Sequence, residues 1–290
     1  MMVLTNYDEI TELLRRHGFH FSKALGQNFL TAAWVPERIA EEAALTAEDG
    51  VLEVGPGIGC LTAELAKRAA RVTALELDER LREVLAETLS PYPNADVTFA
   101  DALKTDLRAH CAEKLGDRPW KVCANLPYNV TTPLLTAFLR AECFESITVM
   151  IQREVADRLC ARPATAEYGA ITVLIDWYTE AEKLFEVPPH CFVPQPKVTS
   201  EVIQLRRREK RPAEVADEEF FFRVVRAAFA QRRKTLLNAL SAGLGMFGKP
   251  ELAEAIRTVG LPETVRGETL STQQFAALAN ELYSRQQPRT

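Results

Sequence analysis

Histidine and cysteine are scarce in this chain, and neither is clustered. The six cysteines fall at 60, 111, 123, 143, 160 and 191, with no C-x-x-C pair, and the two histidines that adjoin a cysteine, His110 and His190, each stand beside a lone one. That spacing argues against a zinc site and against a disulfide framework, and it fits a reducing, cytoplasmic compartment. No apolar run approaches the roughly 18 residues that a membrane-spanning helix needs. The N-terminus, MMVLTNYDEITELLRRHG, is amphipathic, carries acidic residues and lacks the apolar centre of a signal peptide. No internal repeat and no low-complexity tract is visible, and no glycine loop carries the lysine that grips a nucleoside triphosphate.

The remaining composition is ordinary. With 290 residues, 47% apolar and 26% charged, the chain can form one large domain and a smaller one around a sizeable core. The net charge of −5 is unevenly spread. Arg206 to Lys234 carries ten basic and five acidic residues, so that stretch is +5 and the rest of the chain is −10. A basic segment on an acidic body points to a localised polyanion contact, the plain alternative being a solvated linker and helix face.

Two regimes follow one another along the chain. Between 50 and 205, short β-rich runs alternate with helical patterns: VLEVG, RVTALEL, DVTFA, KVCAN, ITVMI, ITVLIDWY and VTSEVIQLR. Four such alternations in succession imply a parallel sheet covered by helices, an α/β fold. After Pro212 the strand signals stop, and FFFRVVRAAFAQRRKTLLNAL, PELAEAIRTVG and LSTQQFAALANELYSR read as helices separated by Gly- and Pro-containing linkers. The expected organisation is an α/β domain over 1–211, with an N-terminal helical extension in 1–22, and a small all-helical domain over 212–290.

Chemistry-bearing residues gather at the ends of the predicted strands, the edge where α/β sheets bind ligands. Gly55, Gly57 and Gly59 follow the first strand and lead into a helix; their G-x-G-x-G spacing departs from the dinucleotide-binding pattern. Glu76 ends the second strand, 21 residues after Gly55, where a carboxylate can accept both hydroxyls of a ribose. Asp101 ends the third and can accept from an adenine amino group. The fourth run opens the loop of KVCANLPYNVTTPLL, which combines an amide, a rigid turn and an aromatic ring. Any one of these acids alone reads equally as a helix cap or a surface charge; together they describe a nucleoside pocket.

The glycine loop, Glu76, Asp101 and the N-L-P-Y loop resemble a class I S-adenosylmethionine-dependent methyltransferase acting on an exocyclic amine. The segments KALGQNFL, NLPYNVTTPLL, QREVADRL, YGAITVL, EVPPHCFVPQPKVTSEVIQL and AFAQRRKTLLNAL, in that order over nearly the whole chain, resemble the bacterial small-subunit (16S) ribosomal RNA adenine dimethyltransferases (the KsgA/RsmA family). The resemblance implies a Rossmann-like sheet with a small helical domain and S-adenosylmethionine as cofactor, without metal. It implies the small ribosomal subunit or its assembly precursor as partner of a cytoplasmic monomer.

It also implies roles. Gln27, Asn28, Leu30, Gly55, Gly57, Glu76, Asp101 and Asn125 would hold the cofactor. The Asn125 carboxamide and the Leu126 carbonyl would accept the two N–H bonds of adenine N6 and favour the polarised transition state. Pro127 would fix the turn, and Tyr128 would stack on a base drawn out of its helix or loop. Phe192 would offer a second stacking face, with core packing as its alternative. Arg206, Arg207, Arg208, Arg232, Arg233 and Lys234 would meet RNA phosphates. Three rivals remain: a large-subunit methyltransferase of the macrolide-resistance type, a DNA adenine methyltransferase, and a non-catalytic ribosome-assembly factor.

Overall fold

The computed structural model describes residues 3–21 and 27–286; residues 23–26 of the KALGQNFL segment lie outside them. Its strands are β1 (Phe29–Leu30), β2 (Gly50–Val54), β3 (Arg71–Glu76), β4 (Ala95–Phe99), β5 (Trp120–Asn125), β6 (Ser146–Gln152), β7 (Thr179–Val187), β8 (Phe192–Val193) and β9 (Ser200–Arg207). Its α-helices are α1 (Tyr7–Arg16), α2 (Trp34–Glu42), α3 (Cys60–Ala66), α4 (Arg82–Thr88), α5 (Leu107–Leu115), α6 (Thr131–Ala141), α7 (Arg153–Leu159), α8 (Ala170–Tyr178), α9 (Glu218–Ala230), α10 (Leu236–Gly243), α11 (Lys249–Thr258) and α12 (Thr272–Gln286).

Seven strands form one sheet in the order β4-β3-β2-β5-β6-β9-β7. β2 to β6 pair in parallel, and β9 returns antiparallel to β6. All five residues of β2 are buried, as expected of a central strand covered on both faces. The chain runs from β2 outward through β3 to β4, then resumes with β5 on the other side of β2. The carboxyl ends of β2 and β5 therefore flank the switch point of the sheet, where a crevice opens.

Near the N-terminus, Tyr7–Arg16 form helix α1. Asn6 caps α1, accepting the N–H groups of Asp8 and Glu9 at 3.0 and 3.1 Å. Ile10, Leu13 and Leu14 form its buried face and pack with Phe19, Phe29, Ile58, Leu81 and Leu85.

The chain forms two compact units. One takes in the chain up to Ala156 together with Glu182–Arg207; the other comprises Asp157–Ala181 and the chain from Arg208 onward. The helical unit thus includes a segment well upstream of Pro212. ITVLIDWY within it, expected as a strand, is helix α8. Its β-branched and aromatic residues mimic a strand, but Gly169 donates to the Thr172 side chain at 3.1 Å and starts a helix. Six of the nine residues of α8 are then buried. Trp177 lies 4.5 Å from Phe221 between ring centroids, and its indole N–H reaches Glu218 at 3.0 Å. Tertiary packing overrides a local preference of about 1 kcal/mol.

One further expectation changes, and two features were not foreseen. The single helix read over 220–240 divides into α9 and α10, because Gln231 leaves helical geometry (φ −133°, ψ 69°) and Thr235 opens the next helix in extended backbone. Arg232, Arg233 and Lys234 form the turn between them. Strand β7, rich in acidic residues and largely exposed, carries little strand signal, as suits a sheet edge. The two-residue ladder of β1 and β8 is too short to announce itself.

Candidate active site

One cavity opens at the switch point. It is lined by Gln27–Leu30, by the turn after β2, by Glu76 and Leu77 after β3, by residues 100–103 after β4, and by Asn125–Val130 after β5. Every residue expected at the cofactor lines it: Gln27, Asn28, Leu30, Gly55, Gly57, Glu76, Asp101 and Asn125. Backbone geometry requires the glycine at 57, where φ is +60° and a Cβ would stand 3.1 Å from the Phe29 ring.

Glu76 is 7% exposed. Its Oε1 accepts the Asp78 N–H at 2.8 Å and its Oε2 the Gly57 N–H at 3.4 Å, so two backbone donors aim the carboxylate. Burial pushes its pKa above the usual carboxylate value, and those N–H groups partly offset the shift. Asp101 is more open: its Oδ1 accepts the Leu103 N–H at 3.0 Å and its Oδ2 lies 3.3 Å from Lys104 Nζ. It therefore caps its own turn as well as facing the cavity.

Asn125 ends β5 opposite Met150. Its carboxamide has no hydrogen-bond partner among the described residues. The next residue donates its N–H to the Met150 carbonyl at 3.1 Å, and among the described residues nothing donates to the Leu126 carbonyl. Val130 N–H and Thr131 Oγ1 both reach the Pro127 carbonyl, at 3.2 and 3.1 Å, closing the turn. The Tyr128 hydroxyl meets Ser200 Oγ at 2.6 Å, which pins the ring in the cavity wall, and burial raises its pKa.

Phe192 is elsewhere. It is 2% exposed and packs in the core with Leu30, Val35, Ile39 and Val187, without lining the cavity. Strand register explains this: Leu30 lies opposite Phe192 and Phe29 opposite Val193. Directly opposed residues share a face, so Leu30 and Phe192 enter one apolar cluster while Phe29 and Val193 enter the other. The core-packing alternative describes Phe192 here.

The basic residues split as well. Arg206 pairs with Glu182 at 3.3 Å, Arg207 donates to the Glu142 carbonyl at 3.1 Å, and Arg208 bridges Asp176 and Glu180 at 2.8 and 3.0 Å. Arg232 donates to the Ala166 carbonyl at 2.7 Å and lies 3.5 Å from Glu268. Arg233 and Lys234 are exposed, with no side-chain partner among the described residues. Four of the six expected contacts are thus engaged within the protein.

Sequence reasoning missed several residues. Leu77 and Leu103, 58% and 44% exposed, each follow a cavity acid closely and add apolar faces at its mouth. Asp78 accepts Gln27 Nε2 at 2.7 Å and Arg80 Nε at 2.8 Å, tying the segment at Gln27 to the Glu76 loop. The Arg80 guanidinium holds its carboxyl below the usual range. Glu53 also lines the cavity, its burial visible in advance only as an acid inside an apolar strand. Among the described residues the cavity wall therefore carries three carboxyl groups, Glu53, Glu76 and Asp101, and no Lys, Arg or His. Such a site favours a cation bearing hydroxyls and disfavours a polyphosphate.

A sheet of this order with a cavity at this switch point is that of a class I methyltransferase. The 23S rRNA methyltransferase ErmE superposes with a TM-score of 0.66 at 31% identity, covering 88% of this chain and 99% of its own. A dimethyladenosine transferase from Plasmodium falciparum shares the fold at a TM-score of 0.77 and 23% identity, over 89% of this chain and 98% of that one. A profile of the ribosomal RNA adenine dimethylase family matches residues 18–283. Ribosomal RNA small subunit methyltransferase A of Listeria monocytogenes serotype 4b is 48% identical over 277 residues, 94% of each chain. The protein of that name from Geobacillus thermodenitrificans is 47% identical over 275 residues, 93% of this chain and 94% of its own. The chain belongs to the ribosomal RNA adenine dimethylase family.

Proposed function

We propose that this enzyme methylates the N6 amines of two adjacent adenines near the 3′ end of small-subunit (16S) ribosomal RNA, giving N6,N6-dimethyladenosines, with S-adenosylmethionine as donor. The observation that carries the reading is the Asn125 carboxamide, without a hydrogen-bond partner among the described residues and next to the Leu126 carbonyl at the cavity. The N6 lone pair of adenine is delocalised into the ring and is a poor nucleophile until the amine pyramidalises. Two fixed acceptors on its N–H bonds favour the pyramidal, charge-developing geometry over the planar ground state. The aminium formed is strongly acidic, so no side-chain base is needed before transfer.

The cavity fits the donor: Gly57 permits close backbone approach, Glu76 presents an oriented carboxylate to a ribose diol, and Leu77 and Leu103 offer apolar faces to a base. Glu76 and Asp101, with no Lys, Arg or His lining the cavity among the described residues, suit a positively charged ligand. S-adenosylmethionine, when bound, supplies an electrophilic methyl group. Tyr128, its hydroxyl fixed by Ser200, gives the adenine a stacking wall. Arg233 and Lys234, with Arg232 beside them, carry phosphate contacts. The partner is the small subunit or its assembly precursor, met by a cytoplasmic monomer.

Incubation with tritiated S-adenosylmethionine and unmethylated small subunits, large subunits or DNA tests this. Label should enter small-subunit RNA and resolve as dimethyladenosine. Label confined to large-subunit RNA would assign the activity to the ErmE-like branch instead.

A further inference from the structure

A buried carboxyl group beneath the glycine loop has no part in the mechanism above. Glu53 lies on β2 and is 1% exposed, yet it lines the cavity. Its Oε2 accepts the Thr62 hydroxyl of α3 at 2.6 Å, and among the described residues no hydrogen bond engages the other oxygen. The titratable groups that face it are Cys60 on α3, Cys123 on β5 and Glu76 on β3, none of which supplies positive charge. Among the described residues no Lys, Arg or His lines the cavity to balance an ionised Glu53. A carboxylate cannot remain charged in such surroundings at low cost, and burial pushes this one up to about 8. The group is therefore mostly protonated at neutral pH until a positive charge enters the cavity.

We propose that Glu53 is a specificity-determining residue that senses donor charge: it releases its proton when the cationic methyl donor occupies the cavity and regains it when the neutral-sulfur product is left. The inference rests on the donor assignment above. S-adenosylmethionine carries a sulfonium, an ammonium and a carboxylate, for a net positive charge; S-adenosylhomocysteine has lost the sulfonium and is neutral overall. A neighbouring opposite charge lowers a carboxyl pKa by about 1–3 units, enough to carry Glu53 from mostly neutral to mostly ionised near pH 7. Ionised Glu53 then attracts the donor, and reprotonation removes that attraction from the product. The cavity thereby favours donor over product through charge, with no shape difference beyond one methyl group.

Titration calorimetry of the full-length protein in phosphate and in Tris at pH 7.5 reads the exchange directly, since the difference in observed enthalpy gives the protons released. Wild type should release roughly half a proton or more on binding S-adenosylmethionine and close to none on binding S-adenosylhomocysteine. Donor affinity should strengthen with pH between about 6 and 8, by at most tenfold per unit, while product affinity stays flat. Glu53→Gln should abolish the release and the pH dependence, and Glu53→Asp, which keeps a titrating group, should restore part of both. Donor binding by wild type without proton release would overturn the inference and leave the donor assignment intact. Equal release by Glu53→Gln would also overturn it, assigning the proton to Glu76. Failure of the donor to bind would remove the donor assignment and this inference with it.

Discussion

Replacing Glu76 with Ala is the most direct test of the cavity. The side chain is almost wholly buried, and both of its oxygens are aimed by backbone N–H groups, at 2.8 Å from Asp78 and 3.4 Å from Gly57. If that carboxylate accepts the two hydroxyls of a ribose, its removal deletes two charge-assisted hydrogen bonds, each about 1.5–3 kcal/mol. The gross loss is reduced because a buried carboxylate is already costly, as its upward-shifted pKa records. A net loss of about 2–3 kcal/mol follows, or roughly 30- to 150-fold in dissociation constant. Glu76→Gln keeps the volume and one acceptor, so about tenfold is expected of it. Calorimetric titration with S-adenosylmethionine measures both variants, and thermal melting of the unliganded proteins controls for loss of fold. A Glu76→Ala protein that binds within threefold of wild type would remove Glu76 from the donor site. A large fall in melting temperature in both variants would make its role structural.

Three other outcomes are expected. Asn125→Ala should keep donor affinity within a few fold and lower kcat by about a hundredfold or more, the scale of one lost transition-state acceptor; a defect confined to donor affinity would contradict the assigned role. Arg233→Ala with Lys234→Ala should flatten the dependence of log K on log salt for ribosomal subunits by roughly one to two units, with donor affinity intact, whereas Arg206→Ala or Arg207→Ala should change it little. An unchanged slope in the double variant would move the RNA contact elsewhere. The fourth prediction concerns pH. Burial pushes the Glu53 carboxyl from its ordinary value of 4.5 up to about 8 in the folded state. Its neutral form therefore contributes stability that is full below about 4.5 and is lost as pH rises through about 8. Across that window the unliganded wild type should lose on the order of 1.4 kcal/mol per pH unit relative to Glu53→Gln. Parallel melting curves for the two proteins from pH 5 to 8.5 would show that Glu53 does not titrate there.

Much of the fold was legible because its signals are local. Short apolar runs ending in Gly or an acid, each followed by a helical pattern, describe strands of a parallel sheet and put their ends on one edge. Gly55, Gly57, Glu76, Asp101 and the Asn125–Tyr128 loop sit at those ends by chain position alone, so their meeting in one cavity follows from topology. The amphipathic face of α1 was readable for the same reason: a 3.6-residue period is a property of neighbouring residues.

What escaped the sequence depends on partners far along the chain. ITVLIDWY is helical because Trp177 and Tyr178 meet Phe221 and Phe222 some forty positions later. Phe192 enters the core because Leu30, more than 160 residues earlier, lies opposite it. Arg206 and Arg208 appear free in the sequence, yet folding brings Glu182, Asp176 and Glu180 to them. Glu53 carries an ordinary carboxyl group until α3, β3 and β5 close around it and exclude water. The sequence by itself determined which residues stand at the carboxyl edge of the sheet, since alternation, turns and caps act between neighbours. Only the tertiary structure decided which side chains face the cavity, which cations remain free and which carboxyl groups stay neutral, because burial and long-range pairing set the dielectric and the partners that each group meets.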